Sequence, residues 1–188
     1  MRSILITGVS ASGKSTLSHE AARVLRVTAY DYADLMLKAD PAITDKDALE
    51  TLDEEHRRAI YQKVTALLPS WFGPANTSDQ TILLENHLSV IHDGRIATFR
   101  TTAYPRYNAR GLAVVSADPQ VILARRTADP TRHRRPGTVD QIARQQVINQ
   151  EQAQVITDFL EIPLLLVENT DLAASVATFV RWAEGLAA

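Results

Sequence analysis

The 188-residue sequence contains no cysteine. That excludes disulfides, thiolate nucleophiles and cysteine-ligated zinc, and it suits a reducing compartment. Long apolar runs are missing too, and none reaches the length of a membrane span. The N-terminal stretch MRSILITGVS holds an apolar segment too short for a secretory h-region, with no cleavage pattern. The expectation is a soluble, cytoplasmic protein with no membrane partner. Neither charge sign dominates: Lys and Arg total 20, Asp and Glu 22, for a formal net charge of −2. Such a surface is not built to coat nucleic acid. His19 and His56 fall on helical segments without metal-ligand spacing, so a zinc site is not expected. Glycine is scarce, with 7 in all, and two of them stand at 8 and 13.

What is present is an alternation of short apolar strands and helices. SILIT (3–7), RVTAYD (26–31), TILLE (81–85), GLAVVSA (111–117) and IPLLLVEN (162–169) read as strands. Helical spacing covers 14–25, 33–39, 53–68, 118–127, 138–158 and 171–186, with Asp53 as an N-cap. SVIHDGRIATF (89–99) reads as a hairpin turning at Asp93-Gly94. Strands alternating with helices predict βαβ units and a parallel sheet covered on both faces. Ligands of such sheets bind at the carboxyl ends of the strands. Here those ends carry Thr7-Gly8, Tyr30-Asp31, Glu85-Asn86-His87, Ser116-Ala117-Asp118 and Glu168-Asn169.

Residues 8–16, GVSASGKST, match G-x-x-x-x-G-K-[ST] between the first strand and the first helix. Gly8 and Gly13 permit torsions and close approaches that a Cβ forbids. The backbone N–H groups from Ser10 through Ala11, Ser12, Gly13, Lys14, Ser15 and Thr16 then line one anion-binding concavity. The following helix adds its dipole. Lys14 is placed to reach the β- and γ-phosphates of ATP, the Ser15 hydroxyl to hold Mg²⁺, and Thr16 to bond an α- or β-phosphate. Glu85 can hold the metal through water or orient an acceptor, and Asp118 stands nearby. His87 can touch an acceptor or cap the strand end.

Four stretches together resemble the nucleoside monophosphate kinases, most closely the archaeal-type adenylate kinases. They are TGVSASGKST, DKDALETLDEEHRRAIYQKV, LLENH, and ILARRTADPTRHRRP followed by a long helix with VIN at 147–149. The resemblance implies a single domain with a three-layer P-loop NTPase fold, a five-stranded parallel sheet in the order 2-3-1-4-5. It implies an acceptor-side insertion over about 32–75 and a lid over about 128–138. It implies transfer of a phosphoryl group from ATP to AMP, with Arg132 and Arg134 as lid cations and Arg126 on the nucleotide. The same arginine-rich loop could instead be a solvated basic face or an RNA patch.

Two departures from the family pattern matter. The position where those kinases use an arginine on the acceptor phosphate falls at Glu50, and a carboxylate repels a phosphate. After the second strand stands YDYAD instead of a small Gly-Thr pair. Shikimate kinase and other small-metabolite kinases use an acid there to hold or deprotonate a hydroxyl, which makes Asp31 a candidate general base. Three readings follow: a monophosphate kinase, a kinase acting on the hydroxyl of a nucleoside or other metabolite, and a non-enzymatic nucleotide switch. No feature of the sequence assigns an oligomeric state.

Overall fold

The computed structural model describes residues 2–72, 81–92, 95–98, 108–129 and 137–186. The elements in chain order are β1 (Arg2–Thr7), α1 (Lys14–Leu25), β2 (Thr28–Asp31), α2 (Tyr32–Ala39), α3 (Lys46–Thr51), α4 (Glu54–Phe72) and β3 (Thr81–Asn86). They continue with β4 (Ser89–His92), β5 (Arg95–Thr98), β6 (Ala109–Ser116), α5 (Pro119–Ala128), α6 (Val139–Leu160), β7 (Leu164–Glu168) and α7 (Leu172–Gly185).

Five strands form one sheet in the order β2-β3-β1-β6-β7, and every pairing in it is parallel. This is the expected order 2-3-1-4-5, since β4 and β5 stand apart as an antiparallel pair. The hairpin expected around Asp93-Gly94 is that pair, although the two turn residues lie outside the described set.

Alternation along the strands sorts side chains to the two faces. Leu5, Leu84, Leu112 and Val114 meet α2, α4 and α6 through Leu35, Met36, Ile60, Val64, Leu68, Ala153 and Ile156. Ile4, Ile6, Leu83, Ala113, Val115 and Val167 meet α1 and α7 through Leu17, Ala21, Phe179, Val180 and Ala183. A third, smaller cluster of Val9, Ala117, Ile122 and Ile142 closes the carboxyl end of the sheet, where α5 and α6 approach.

Sequence signals account for most element ends. Asp53 accepts a hydrogen bond from the His56 N–H at 2.7 Å, as expected of an N-cap. Thr138 and Gln141 form a full capping box at the start of α6. Asp118 caps α5: its Oδ1 accepts from the Gln120 N–H at 2.7 Å. The short helix α3, unassigned in the sequence reading, is started by Asp45, which accepts from the Ala48 N–H at 2.8 Å. Its Ala48 and Leu49 pack on the α2–α4 side of the core.

Candidate active site

The loop between β1 and α1 doubles back on itself. Ala11 and Gly13 both take left-handed torsions, φ 69° and φ 88°. Alternation of hand along a short loop turns successive N–H groups to one side and successive carbonyls to the other. The carbonyls turned outward are each met by a side chain from elsewhere in the fold. Arg126 donates through Nε to the Ser10 oxygen at 3.0 Å. Arg125 donates to the Ala11 oxygen at 3.2 Å, and Asn169 Nδ2 to the Ser12 oxygen at 3.0 Å. His87 Nδ1 lies 3.2 Å from the Gly8 oxygen, which can only accept, so that nitrogen carries the proton in this contact. Four carbonyls are thus held outward by residues of α5, of the β7–α7 turn and of the segment after β3. The Ser12 N–H, expected to line the anion site, instead donates to the Val9 carbonyl at 3.2 Å, so the N–H groups from Gly13 to Thr16, at the start of α1, are the ones that face an anion.

Both glycines are required by close packing. A Cβ on Gly8 would run into the Val115 backbone carbonyl and come within 2.8 Å of Ser12 Oγ. A Cβ on Gly13 would collide with the Asn169 amide, at a residue already in the left-handed region. Because the obstacle at Gly8 is backbone, it cannot swing aside. Gly8→Ala is expected to cost about 1–3 kcal/mol and to lower the melting temperature by several degrees. Nucleotide binding should weaken with it, since the shift opens the loop; thermal melts with and without Mg·ATP check both effects.

At the floor of the loop Lys14 and Ser15 converge on Glu85. Lys14 Nζ is 2.8 Å from Glu85 Oε2, and Ser15 Oγ donates to the same oxygen at 2.6 Å. Glu85 is 0% exposed and Lys14 6%. The second carboxylate oxygen, Oε1, is buried without a hydrogen-bond partner among the described residues. Its neighbour is His19 Nε2, at 3.9 Å. A hydroxyl beside a carboxylate with an unspent oxygen is a hard oxygen donor set of the kind Mg²⁺ takes, commonly through water.

Asp31 ends β2 beside this group. Its Cα stands opposite Glu85 in the parallel ladder, so the two carboxylates share a sheet face. Burial pushes the Asp31 carboxyl up. The hydrogen bond from Lys46, the charge of Lys14 and the Ala33 N–H outweigh burial and hold it below the ordinary carboxylate range. Lys46 Nζ lies 2.6 Å from Asp31 Oδ2 and 2.8 Å from Asp34 Oδ1. Burial pulls the Lys46 ammonium down, and its bonds to the two aspartates more than reverse this.

The structure therefore brings together Gly8, Ser10, Ala11, Ser12, Gly13, Lys14, Ser15, Asp31, Glu85 and Arg126. Arg126 does so from outside the loop, through the Ser10 carbonyl. Thr16 lies in the first turn of α1 beside them. Arg132 and Arg134 lie outside the described residues, as does the Glu50 side chain. Asn169, Arg125 as a loop clamp, and Lys46 were not singled out from sequence. Asn169 was within reach of the rule that ligand sites gather at strand carboxyl ends. Nothing local to Lys46 marks it.

Against known proteins, residues 7–143 match the AAA_17 family model, described as an AAA domain. The chain belongs to the AAA_17 family. Two adenylate kinases resemble it along nearly its whole length. That of Thermoplasma acidophilum is 23% identical, with 91% of each chain covered. That of Thermoplasma volcanium is 27% identical, covering 91% of this chain and 92% of the relative. Among solved structures, a sugar kinase from Janibacter sp. superposes with a TM-score of 0.62 at 13% identity, covering 98% of this chain and 95% of that one. Shikimate kinase from Aquifex aeolicus gives 0.58 at 17%, covering 98% and 97%. This AAA_17 member has the P-loop kinase fold and is a P-loop kinase, a phosphotransferase.

Proposed function

We propose that the protein transfers the γ-phosphoryl group of ATP to a hydroxyl of a small acceptor that carries no phosphate. The observation that carries this reading is the placement of Asp31 on the same sheet face as Glu85 and within the field of Lys14. A carboxylate there is suited to accept a hydrogen bond from an attacking hydroxyl and repels a phosphate. The surroundings reinforce it. Between residues 31 and 58, nine Asp and Glu stand against four Lys and Arg.

In the proposed reaction the acceptor oxygen bonds to the γ-phosphorus while the bond from that phosphorus to the β–γ bridging oxygen breaks. ADP leaves, and the hydroxyl proton passes to Asp31 and then to solvent. Lys14 and the loop N–H groups offset the charge on the migrating group. Ser15 and Glu85 would hold Mg²⁺, which neutralises phosphate charge when bound. Arg132 and Arg134, in the proposed lid over about 128–138, would add cations on the donor side. The proposed insertion over about 32–75 would close on the acceptor.

A second reading, an adenylate kinase turning ATP and AMP into two ADP, is favoured by the Thermoplasma relatives. An acceptor screen separates the two, following ADP formation with Mg·ATP against nucleoside monophosphates, nucleosides, polyols and shikimate. A hydroxyl compound as the efficient substrate supports the first reading. AMP as the efficient substrate overturns it. On the first reading Asp31→Asn lowers turnover about 10²–10⁴-fold and leaves ATP binding intact. Asparagine is also a good N-cap, so α2 keeps its start. The non-enzymatic switch is displaced by any acceptor-dependent turnover that Lys14→Met removes.

A further inference from the structure

Lys46 is the first residue of α3, an awkward place for a cation because the start of a helix carries partial positive charge. The fold nonetheless fixes it there. Ala48 and Leu49 anchor α3 in the core. The ammonium is about one-third exposed and bridges the carboxylates of Asp31 and Asp34 at 2.6 and 2.8 Å. Those carboxylates come from different elements, the end of β2 and the first turn of α2. Asp31 is pinned from its other side as well, since Oδ1 accepts the Ala33 N–H at 2.9 Å. Each carboxylate oxygen has two acceptor positions. With one bond made to each, Asp31 keeps capacity for a hydroxyl while its plane cannot rotate.

We propose that Lys46 is a positioning residue of the acceptor site, holding Asp31 charged and in one orientation so that it can receive the acceptor hydroxyl. This rests on the hydroxyl-acceptor reading above. The charged groups around Asp31 are Lys46 from α3, Asp34 from α2, Lys14 from α1 and Glu85 from β3. Two of them are carboxylates that oppose its ionisation, and burial opposes it too. Without Lys46, Lys14 and the Ala33 N–H are what remain among the described residues to favour the charged form. A protonated Asp31 cannot accept the hydroxyl proton, so activity then falls as pH falls.

The test titrates the Asp31 side-chain carboxyl by carbon-13 NMR in the full chain, with Asp31→Asn identifying the signal. In the wild type Asp31 stays ionised throughout pH 5–8. In Lys46→Met, and in Lys46→Gln should the methionine variant fold poorly, the Asp31 protonation step moves to higher pH. Lys46→Arg reverses that shift, and adding Asp34→Asn to Lys46→Met moves the step back toward lower pH. A merely structural lysine would not produce shifts of opposite sign from opposite charges. With the hydroxyl compounds of the acceptor panel as probes, Lys46→Met lowers turnover on the order of tenfold at neutral pH, and further at pH 5.5. KM for ATP stays the same, and Lys46→Arg restores turnover. An Asp31 titration unchanged in both neutral variants overturns the proposal, whatever happens to turnover. A panel in which only monophosphates react overturns the acceptor reading instead, and the titration still reports whether Lys46 controls Asp31.

Discussion

Lys14→Met is expected to abolish acceptor phosphorylation and to destabilise the fold in the same stroke. The catalytic loss should be about 10³-fold or more in kcat/KM, because no other described side chain of the loop carries a positive charge toward the phosphates. The stability loss has a separate origin. Glu85 is fully buried and takes Lys14 at 2.8 Å. Removing one partner of a buried pair leaves an uncompensated charge, at a cost of about 3–5 kcal/mol. The Ser15 hydroxyl still donates to Glu85 at 2.6 Å, which favours the lower end of that range. For a domain of this size each kcal/mol moves the melting temperature by roughly 2–4 °C, so the drop should be on the order of 10 °C. Thermal melts with and without Mg·ATP check both parts. The wild type gains stability on adding nucleotide, and the variant starts lower and gains little. A variant that melts like the wild type would show that Glu85 does not depend on Lys14 for its charge balance.

Glu85→Gln tests the other half of the same contact with less disturbance. Glutamine keeps the shape and one acceptor oxygen for Lys14 and Ser15, but it removes the negative charge and the unspent carboxylate oxygen. Lys14 remains within the field of Asp31, so the fold should survive. If Glu85 helps hold Mg²⁺, the concentration needed for half-maximal rate should rise about 10–100-fold. Turnover at saturating metal should still fall on the order of 10²-fold, because Lys14 has lost the partner that fixes its head group. A rate titration in Mg²⁺ at fixed ATP distinguishes the outcomes. A lower rate with an unchanged metal requirement would make Glu85 a counter-ion of Lys14 and nothing more.

These two variants address residues that the sequence already marked, and the reason they were legible is local. The phosphate loop is written in nine consecutive residues whose types are demanded by backbone torsion and by charge at one point. Gly8 must clear the Val115 carbonyl and Gly13 must turn left-handed against Asn169. Glu85 was visible because it ends an apolar run, and a polar residue at the carboxyl end of a buried strand marks the ligand side of a parallel sheet. The acceptor side was harder to read. α3 is six residues long, too short for a periodic apolar face to stand out.

The sequence by itself determined the alternation of strands and helices, the loop for phosphate, the hairpin and several helix starts, Asp53 among them. Each depends on residues within a few positions of one another, where side-chain period, torsional preference and capping act directly. Only the tertiary structure decided which side chains close the site. Lys14 meets Glu85 across 71 positions of chain, Asn169 clamps Ser12 across 157, and Arg126 clamps Ser10 across 116. Lys46 joins Asp31 and Asp34 only because α3 docks beside the end of β2. Such pairings are set by strand order and register, which bring distant strand ends to one edge of the sheet. No local pattern records which of the many charged residues will arrive there together.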